Sequence, residues 1–370
     1  MAAKNPLPKE YYYKRSRERQ EDIRGAFFRD QTAIIHSTAF RRLKHKTQVF
    51  YAPKNDHICT RIEHVLHVAT IAKTICKGLN LYGWDLDVEM AFAIGLGHDL
   101  GHAPFGHDGE IILSNLMGGP EEFIHEIHSY RVVEYLANHG QGLNLTYGVK
   151  DGIITHNGER YEQYLKPNPT PNNLDKITNR RVIPSSYEGC VVRFADKIAY
   201  LGRDIEDAIT VGIIKREDIP RNIREILGDN NSHIIDTLVN DIIETSKDSD
   251  KIGFSDKIYQ TLLQLKRFNY QHIYLNDKDF IFPYAEKILK TLFNFLGETF
   301  EKFQWNFDKY QSHKLKIVKD FGYYLKQMEH FYKKETQAST KRILGDFIAG
   351  MTDDYAIAAI EQIIIPKSVI

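Results

Sequence analysis

The fold and the chemistry of this 370-residue chain centre on residues 95–110, which read GLGHDLGHAPFGHDGE. Three histidines and three carboxylates lie within this stretch. Imidazole combined with carboxylate suits zinc, manganese, iron or nickel, and an ion that activates water needs several protein ligands and an open position. The stretch therefore predicts a metal-dependent hydrolase site.

His98 and Asp99 are the most specific part of this stretch. Neighbouring residues on a helix diverge by about 100°, so both side chains reach one ion only near a helix end that faces a cavity. The apolar pattern predicts a helix over about residues 87–99, which ends at this pair. A buried His-Asp pair without a function carries a desolvation cost, which favours a metal site over simple packing.

Two further candidate ligands come from other predicted helices. In a helix predicted over residues 61–78, His64 lies on the inward face with the apolar residues. Asp196 lies in a long helix predicted to begin at about Tyr187. A single core histidine is more often a packing residue than a ligand, and spacing alone leaves open whether the four side chains converge.

His107 and Glu110 are three residues apart at the start of another predicted helix, within side-chain reach of each other. A carboxylate beside an imidazole orients the ring and raises its pKa, which favours a charged histidine that donates a proton. The pair therefore predicts a general acid. The alternative is that Asp108 and Glu110 only cap the helix.

Asp196, Tyr200 and Asp204 recur every four residues and share one helical face, with Lys197 beside them. Two carboxylates, a cation and a ring along one wall suit a substrate with phosphate at one end and sugar at the other. The alternative is a salt-bridge ladder on the surface, although the interleaved apolar residues disfavour complete exposure.

Composition indicates an ordinary soluble protein. Apolar residues make up 42% of the chain, and 49 basic side chains balance 49 acidic ones, so no bulk charge favours a membrane or a nucleic acid as the main partner. The apolar runs are too short to span a bilayer and the N-terminus lacks a signal-peptide pattern, so we expect a cytoplasmic protein. Cys59, Cys76 and Cys190 are scattered and are expected to be reduced packing residues.

Helical periodicity recurs along the chain with little strand pattern, which predicts an all-α fold. We expect a polar N-terminal arm over residues 1–14, a metallohydrolase core over residues 15–215, and a helical C-terminal region over residues 216–370 packed on the core. Within the core, residues 140–186 are expected to form a loop-rich insertion, because their densest turn segment is rich in proline and asparagine.

The order of the candidate ligands resembles the H…HD…D pattern of the HD superfamily of metal-dependent phosphohydrolases. Further segments narrow the resemblance to the dGTPase-like deoxynucleoside triphosphate triphosphohydrolases, and the animal SAM-and-HD-domain enzyme resembles this chain more distantly. The matching segments are residues 37–43 with 46–50, 60–64, 98–110, 194–200 and 346–353. The resemblance runs from about Arg15 to Tyr355.

The resemblance implies a fold, a reaction and a set of roles. The fold would be an HD-domain helical core with a C-terminal helical extension. The reaction would be hydrolysis of dGTP or another dNTP to the deoxynucleoside and inorganic triphosphate. The implied metal ligands, for manganese, magnesium, iron, nickel or zinc, are His64, His98, Asp99 and Asp196, and the implied catalytic pair is His107 with Glu110.

The same resemblance implies a set of substrate contacts. They are Gln48 and Tyr200 at the deoxyribose, Asp204 near its 3′-hydroxyl, Arg61, His102 and Lys197 at the triphosphate, and His125 and Glu126 in the wall of the site.

Family members assemble, so the resemblance also implies a homo-oligomer, a tetramer or a hexamer. Some members need an allosteric nucleotide at a second site, and the sequence leaves open whether this chain has such a site. The sequence leaves open the base preference, the native metal and any binding of nucleic acid. Two other functions remain as alternatives: an HD phosphatase or phosphodiesterase acting on other nucleotides, and a nucleotide- or nucleic-acid-binding protein with an inactive site. The intact His107 and Glu110 disfavour the second.

Overall fold

The computed structural model describes residues 3–20, 22–50, 56–157, 162–275, 278–334 and 339–365. Helices dominate this part of the chain, which confirms the all-α prediction. The helices are α1 Lys9–Tyr12, α2 Ala26–Ile35, α3 Thr38–Arg42, α4 Arg61–Asn80, α5 Val88–Gly97, α6 Gly106–Met117, α7 His125–Arg131, α8 Tyr147–Ile154, α9 Tyr187–Thr210, α10 Arg221–Leu227, α11 Asn231–Ser246, α12 Asp256–Asn269, α13 Lys278–Phe303, α14 Phe307–Gln311, α15 Lys316–Tyr332, α16 Thr340–Ala349 and α17 Asp353–Ile364.

Shorter elements complete the described fold. Two antiparallel two-residue strands pair with each other, β1 Tyr164–Leu165 and β2 Ile252–Gly253. Wider helical turns at Val132–Leu136 and Tyr270–Tyr274 extend α7 and α12. The predicted insertion over residues 140–186 holds α8 and β1 as well as loops.

Local capping explains where the helices that carry the candidate site begin. At the start of α4, Glu63 Oε2 accepts a hydrogen bond from the backbone N–H of Thr60 at 2.7 Å. At the start of α5, Asp87 accepts from the N–H of Glu89 at 3.0 Å, and Ser186 caps α9 through the N–H of Gly189 at 3.1 Å. Such side chains satisfy backbone donors that the first helical turn leaves without partners.

Apolar side chains form two large buried clusters. The first is built mainly from α2, α4, α5, α8, α9 and the helices α10 to α12. The second combines α6 and the loop before it with α13 and α15 to α17. The helix that carries His107 and Glu110 therefore packs on the C-terminal helices. His64 and Asp196 lie on helices of the first cluster, and His98 directly follows α5 of that cluster. The domain boundary after residue 215 stays a prediction.

The two helices that carry His64 and His98 approach each other closely at Gly95. A Cβ atom built on Gly95 would lie 2.6 Å from the Cα of Ala69 in α4, closer than real Cβ contacts. Only glycine therefore allows α5 to pack on α4 at this distance. The separation of His64 and His98 depends on this contact.

Among the described residues, no helix is both long enough and apolar enough to cross a membrane. The three cysteines are buried and unpaired, in agreement with the prediction that they are packing residues.

We expect Gly95→Ala to lower the free energy of unfolding by about 1–3 kcal/mol, because the added methyl group pushes α5 away from α4. Urea or thermal unfolding measures this loss. Gly297→Ala in α13 is the matched control, since its Cβ would meet Leu344 Cδ1 at an ordinary 3.4 Å. The control should unfold like the wild type or gain up to about 1 kcal/mol from helix propensity. Equal losses in the two variants would contradict the role given to Gly95.

Candidate metal-dependent active site

A cavity of about 460 Å³ opens between α4, α6, α9 and the turn that follows α12. Many of the candidate residues line it, from the His-Asp cluster at its floor to Asp204 and Tyr274 at the other end. The candidates that line it are Gln48, Arg61, His64, Asp99, His102, His107, His125, Asp196, Tyr200 and Asp204. The remaining four candidates, His98, Glu110, Glu126 and Lys197, lie behind its wall.

The structure brings the four candidate metal ligands together from two helices, α4 and α9, and from the turn that follows α5. His64 Nε2 lies 3.0 Å from Asp196 Oδ1 and 4.0 Å from Asp99 Oδ2. His98 Nε2 lies 3.5 Å from Asp99 Oδ1 and 3.8 Å from Asp196 Oδ1. Each of these side chains is at most 10% exposed. The ligand atoms of His64, His98 and Asp196 lie within 4.8 Å of one another, and those of His98 and Asp99 form a second such group with His156.

The protonation of His98 fits a metal ligand. Its Nδ1 lies 2.7 Å from the carbonyl oxygen of Gly95, and because that oxygen only accepts, Nδ1 carries the ring proton. The lone pair of the neutral ring is therefore on Nε2, which is buried and has no hydrogen-bond partner in the described part of the chain. A buried polar atom without a partner costs free energy, which a divalent ion at this point would recover.

The two carboxylates stay ionised despite their burial. Burial opposes ionisation of Asp99, but His98, His102 and Arg61 outweigh it and hold the pKa of Asp99 well below its usual range. Burial likewise opposes ionisation of Asp196, but its hydrogen bond to His64 and the nearby His98 lower its pKa to about 2. Charged oxygens and neutral imidazole nitrogens are the donor set that suits a divalent ion.

His107 and Glu110 lie together at the start of α6, with His107 Nδ1 3.4 Å from Glu110 Oε2. The His107 side chain is 52% exposed and faces the cavity, whereas Glu110 is buried. Glu110 also contacts His125, whose Nδ1 lies 2.8 Å from Glu110 Oε2 and whose backbone N–H donates to Oε1 at 2.9 Å. The carboxylate predicted to orient His107 is thus shared between two imidazoles.

The remaining candidates differ in how directly they face the cavity. Arg61 is buried and donates to Asp99 Oδ2 at 2.5 Å and to the carbonyl oxygen of Thr47 at 3.0 Å. Asp204 accepts a hydrogen bond from the Tyr274 hydroxyl at 2.6 Å, and burial raises the pKa of Asp204 to about 7.

The Lys197 side chain points away from the cavity, toward Glu162. It is fully buried behind the cavity wall, and its Nζ donates to Glu162 Oε2 at 3.1 Å. Glu162 also accepts from Arg193 at 2.7 Å. The contact between Lys197 and the triphosphate, which the family resemblance implies, stays a prediction.

Sequence patterns missed two residues of this site, His156 and Arg180. His156 follows α8, is 1% exposed, and its Nε2 lies 3.3 Å from His125 Nε2. Arg180 comes from the loop before α9 and donates to Glu110 Oε1 at 2.5 Å and to Glu126 Oε1 at 2.9 Å. The apolar residues before His156 indicate that this histidine is buried. The turn-rich sequence around Arg180 gives no indication that Arg180 joins the site.

Two family models match this chain, one in each half. The HD domain matches residues 61–201, and the phosphohydrolase-associated domain matches residues 252–362. Three curated relatives are each named deoxyguanosinetriphosphate triphosphohydrolase-like protein. The one from Caldanaerobacter subterraneus subsp. tengcongensis is 39% identical, with 95% of this chain and 89% of the relative covered. Those from Desulfatibacillum aliphaticivorans and Clostridium tetani are each 37% identical, with coverage of 94% and 96% of this chain and 90% of each relative.

One solved structure, of a hypothetical protein from Aquifex aeolicus, is 17% identical to this chain with a TM-score of 0.38. The match covers 83% of this chain and 72% of that protein.

Arg180→Gln is expected to lower the free energy of unfolding by about 1–3 kcal/mol at neutral pH, because it leaves two neighbouring buried carboxylates without their shared donor. Burial opposes ionisation of Glu110, but His125, His107 and Arg180 outweigh it and hold its pKa well below the ordinary 4.5. The stabilisation from this ionised carboxylate is therefore present above about pH 4.5 and is lost as the pH falls toward the lowered pKa.

The difference between wild type and Arg180→Gln should consequently shrink as the pH is lowered below about 5, which urea unfolding across pH measures. Arg181→Gln, at the exposed neighbouring position, is the matched control and should behave like the wild type. A difference for Arg180→Gln that stays constant with pH would contradict the ion-pair explanation.

Proposed function

This chain belongs to the deoxyguanosinetriphosphate triphosphohydrolase-like family of HD-domain phosphohydrolases, and we propose that it hydrolyses deoxynucleoside triphosphates to deoxynucleoside and inorganic triphosphate. One observation carries the proposal beyond the family level. A single cavity extends from His64, Asp99 and Asp196 at its floor, with His98 behind them, to Tyr200, Asp204 and Tyr274 at its other end. The floor suits phosphate held through a metal, and the far end suits the hydroxyl groups of a sugar.

We assign the divalent ion to His64, His98, Asp99 and Asp196. A bound ion of this kind supplies Lewis acidity to phosphate oxygens and lowers the pKa of a water molecule. The identity of the ion stays open among manganese, magnesium, iron, nickel and zinc, because imidazole and carboxylate together accept all of them.

The proton for the leaving group comes from His107 in this proposal. Water attacks the α-phosphorus, the bond from that phosphorus to the 5′-oxygen breaks, and His107 donates its proton to the departing oxygen. The proton lost by the attacking water passes to solvent, from which His107 is protonated again. Glu110 Oε2 lies 3.4 Å from His107 Nδ1 and orients the ring. His107 is half exposed at the cavity wall, which is where a group that must meet a substrate has to lie.

The polar groups around the cavity supply the substrate contacts. Arg61 and His102 flank Asp99 at the floor, where charge shifts onto the triphosphate as the bond breaks. Asp204, held by the Tyr274 hydroxyl, provides an acceptor for the 3′-hydroxyl, with Tyr200 beside it on α9. Gln48 lines the cavity and lies on a loop whose carbonyl oxygens, those of Thr47 and Gln48, accept hydrogen bonds from Arg61.

The homo-oligomer and the allosteric nucleotide are part of the same proposal and rest on the family resemblance alone. Sedimentation with and without dNTPs tests both at once.

We expect the purified protein, supplied with manganese or magnesium, to convert at least one of the four dNTPs to deoxynucleoside and triphosphate. Separation of the products by ion-exchange chromatography distinguishes the rival activities. Orthophosphate or pyrophosphate would indicate another HD phosphatase, and turnover of a cyclic nucleotide would indicate a phosphodiesterase. No turnover of any nucleotide by metal-loaded protein would favour a binding protein with an inactive site.

His107→Ala is expected to lower the rate of triphosphate release by roughly two to four orders of magnitude, because the leaving 5′-oxygen loses its proton donor. The variant should keep the metal content of the wild type, since His107 is not among the four assigned ligands. His233→Ala removes an exposed histidine on α11 and serves as the control with unchanged activity. Near-normal turnover of His107→Ala with full metal content would overturn the assignment of the acid.

A further inference from the structure

The segment 346–353 is one of the stretches that resemble the family, yet the proposed reaction gives it no role. Its last residue, Asp353, is 3% exposed and begins α17, in the region matched by the phosphohydrolase-associated domain. Both oxygens of its carboxylate accept hydrogen bonds from residues that lie 306 and 248 positions earlier in the chain. The carboxylate therefore joins the C-terminal helices to the loops of the site.

One oxygen of Asp353 holds the loop that precedes α4. Its Oδ2 accepts from the backbone N–H of Thr47 at 2.9 Å and from the Thr47 hydroxyl at 2.5 Å. The carbonyl oxygen of Thr47 in turn accepts from Arg61 Nε at 3.1 Å, and Arg61 donates to Asp99 at 2.5 Å. This side of the carboxylate is thus connected to an assigned metal ligand through a short chain of hydrogen bonds.

The other oxygen of Asp353 holds the residue at which α6 begins. Its Oδ1 accepts from the backbone N–H of Phe105 at 3.0 Å. Phe105 has a φ of 64° and Gly106 a φ of 58°, so two successive residues adopt the left-handed region immediately before His107. This conformation costs free energy for phenylalanine. The hydrogen bond to Asp353 stabilises the turn that decides where His107 lies.

The two loops held by Asp353 also contact each other at Gly106. A Cβ atom built on Gly106 would lie 3.4 Å from Arg61 Nη2 and 3.6 Å from the carbonyl oxygen of Gln48. A shift of either loop therefore changes the distance between His107 and the groups at the cavity floor. Misplacement of a catalytic group by about 1 Å can lower a rate by about 100-fold.

The simpler explanation is that Asp353 serves only the N-terminus of its own helix. That end already has a cap, because Thr352 Oγ1 accepts from the N–H of Tyr355 at 3.1 Å. Asp354, which is exposed at the next position, supplies the same negative charge to the first turn. Burial of a carboxylate costs free energy that an exposed one avoids. Helix capping alone therefore does not account for the burial of Asp353.

We propose that Asp353 is a positioning residue, whose carboxylate fixes the start of α6, and with it His107, relative to Arg61 and Asp99. The role rests on the proposed function, because it takes His107 as the proton donor. Asp353 is not among the residues that line the cavity, so it acts on the rate through the position of His107.

The test is a double-mutant cycle on the full, metal-loaded chain, with triphosphate release measured at saturating concentration of the dNTP that the wild type hydrolyses fastest. Asp353→Asn keeps the size of the side chain but leaves one acceptor oxygen for two backbone N–H groups. We expect it to lower kcat by about 10–100-fold in the wild-type chain. In His107→Ala, where no acid is left to misplace, the same change should lower kcat by less than about threefold.

Asp354→Asn is the matched control, since it removes the exposed charge from the same helical turn and should keep the kcat of its background. Thermal unfolding and metal content check that each variant is folded and loaded. If the amide unfolds the chain, Asp353→Ser takes its place in the cycle, because the smaller side chain leaves room for water beside both N–H groups.

Equal fold losses from Asp353→Asn in the two backgrounds would overturn the positioning role and leave the proposed function intact, because the loss would then be independent of His107. A folded Asp353→Asn with the kcat of the wild type would overturn it as well. Absence of triphosphate release by the metal-loaded wild type would overturn the proposed function, and the role of Asp353 with it.

Discussion

The buried carboxylate of Asp99 is the constraint on which the rest of the structure depends. An isolated ionised carboxylate in a protein interior is prohibitively costly, so it must be compensated by groups that arrive from several directions. Arg61 from α4 donates to one oxygen at 2.5 Å, while the rings of His98, His102, His125 and His156 approach the other within 3.9 Å. The compensating groups come from α4, from the start of α7 and from the turns after α5 and α8, so the charge depends on the packing of all of these elements.

The C-terminal helices hold the loops of the site in place through hydrogen bonds. Asp353 at the start of α17 accepts from the backbone N–H of Thr47 at 2.9 Å and from that of Phe105 at 3.0 Å. Phe105 has a positive φ of 64°, a conformation that costs free energy for any residue except glycine, and it immediately precedes α6. Lys46 donates to the carbonyl oxygens of both His102 and Ala349. The region matched by the phosphohydrolase-associated domain thus holds the loop before His107 in a strained conformation.

Histidine tautomers connect this architecture to chemistry. In His98 and His156 the same local device operates: Nδ1 donates to the backbone carbonyl oxygen three residues earlier, at 2.7 and 2.6 Å. This hydrogen bond leaves the lone pair of each neutral ring on Nε2. In His125 the carboxylate of Glu110 takes the place of that carbonyl. Burial opposes the charged ring of His125, but Glu126 and Glu110 outweigh it and raise its pKa to about 9.

The sequence by itself determined the helical class, the helices that carry His64, His98 and Asp196, and the family. These follow from periodicity, capping residues and side-chain identity, which are local properties. Only the tertiary structure decided that His156 and Arg180 join the site and that Lys197 pairs with Glu162 behind it. It also decided that Glu110 is shared between His107 and His125. Those contacts join residues up to 70 positions apart, and their partners are fixed by how helices and loops pack, which no local pattern encodes.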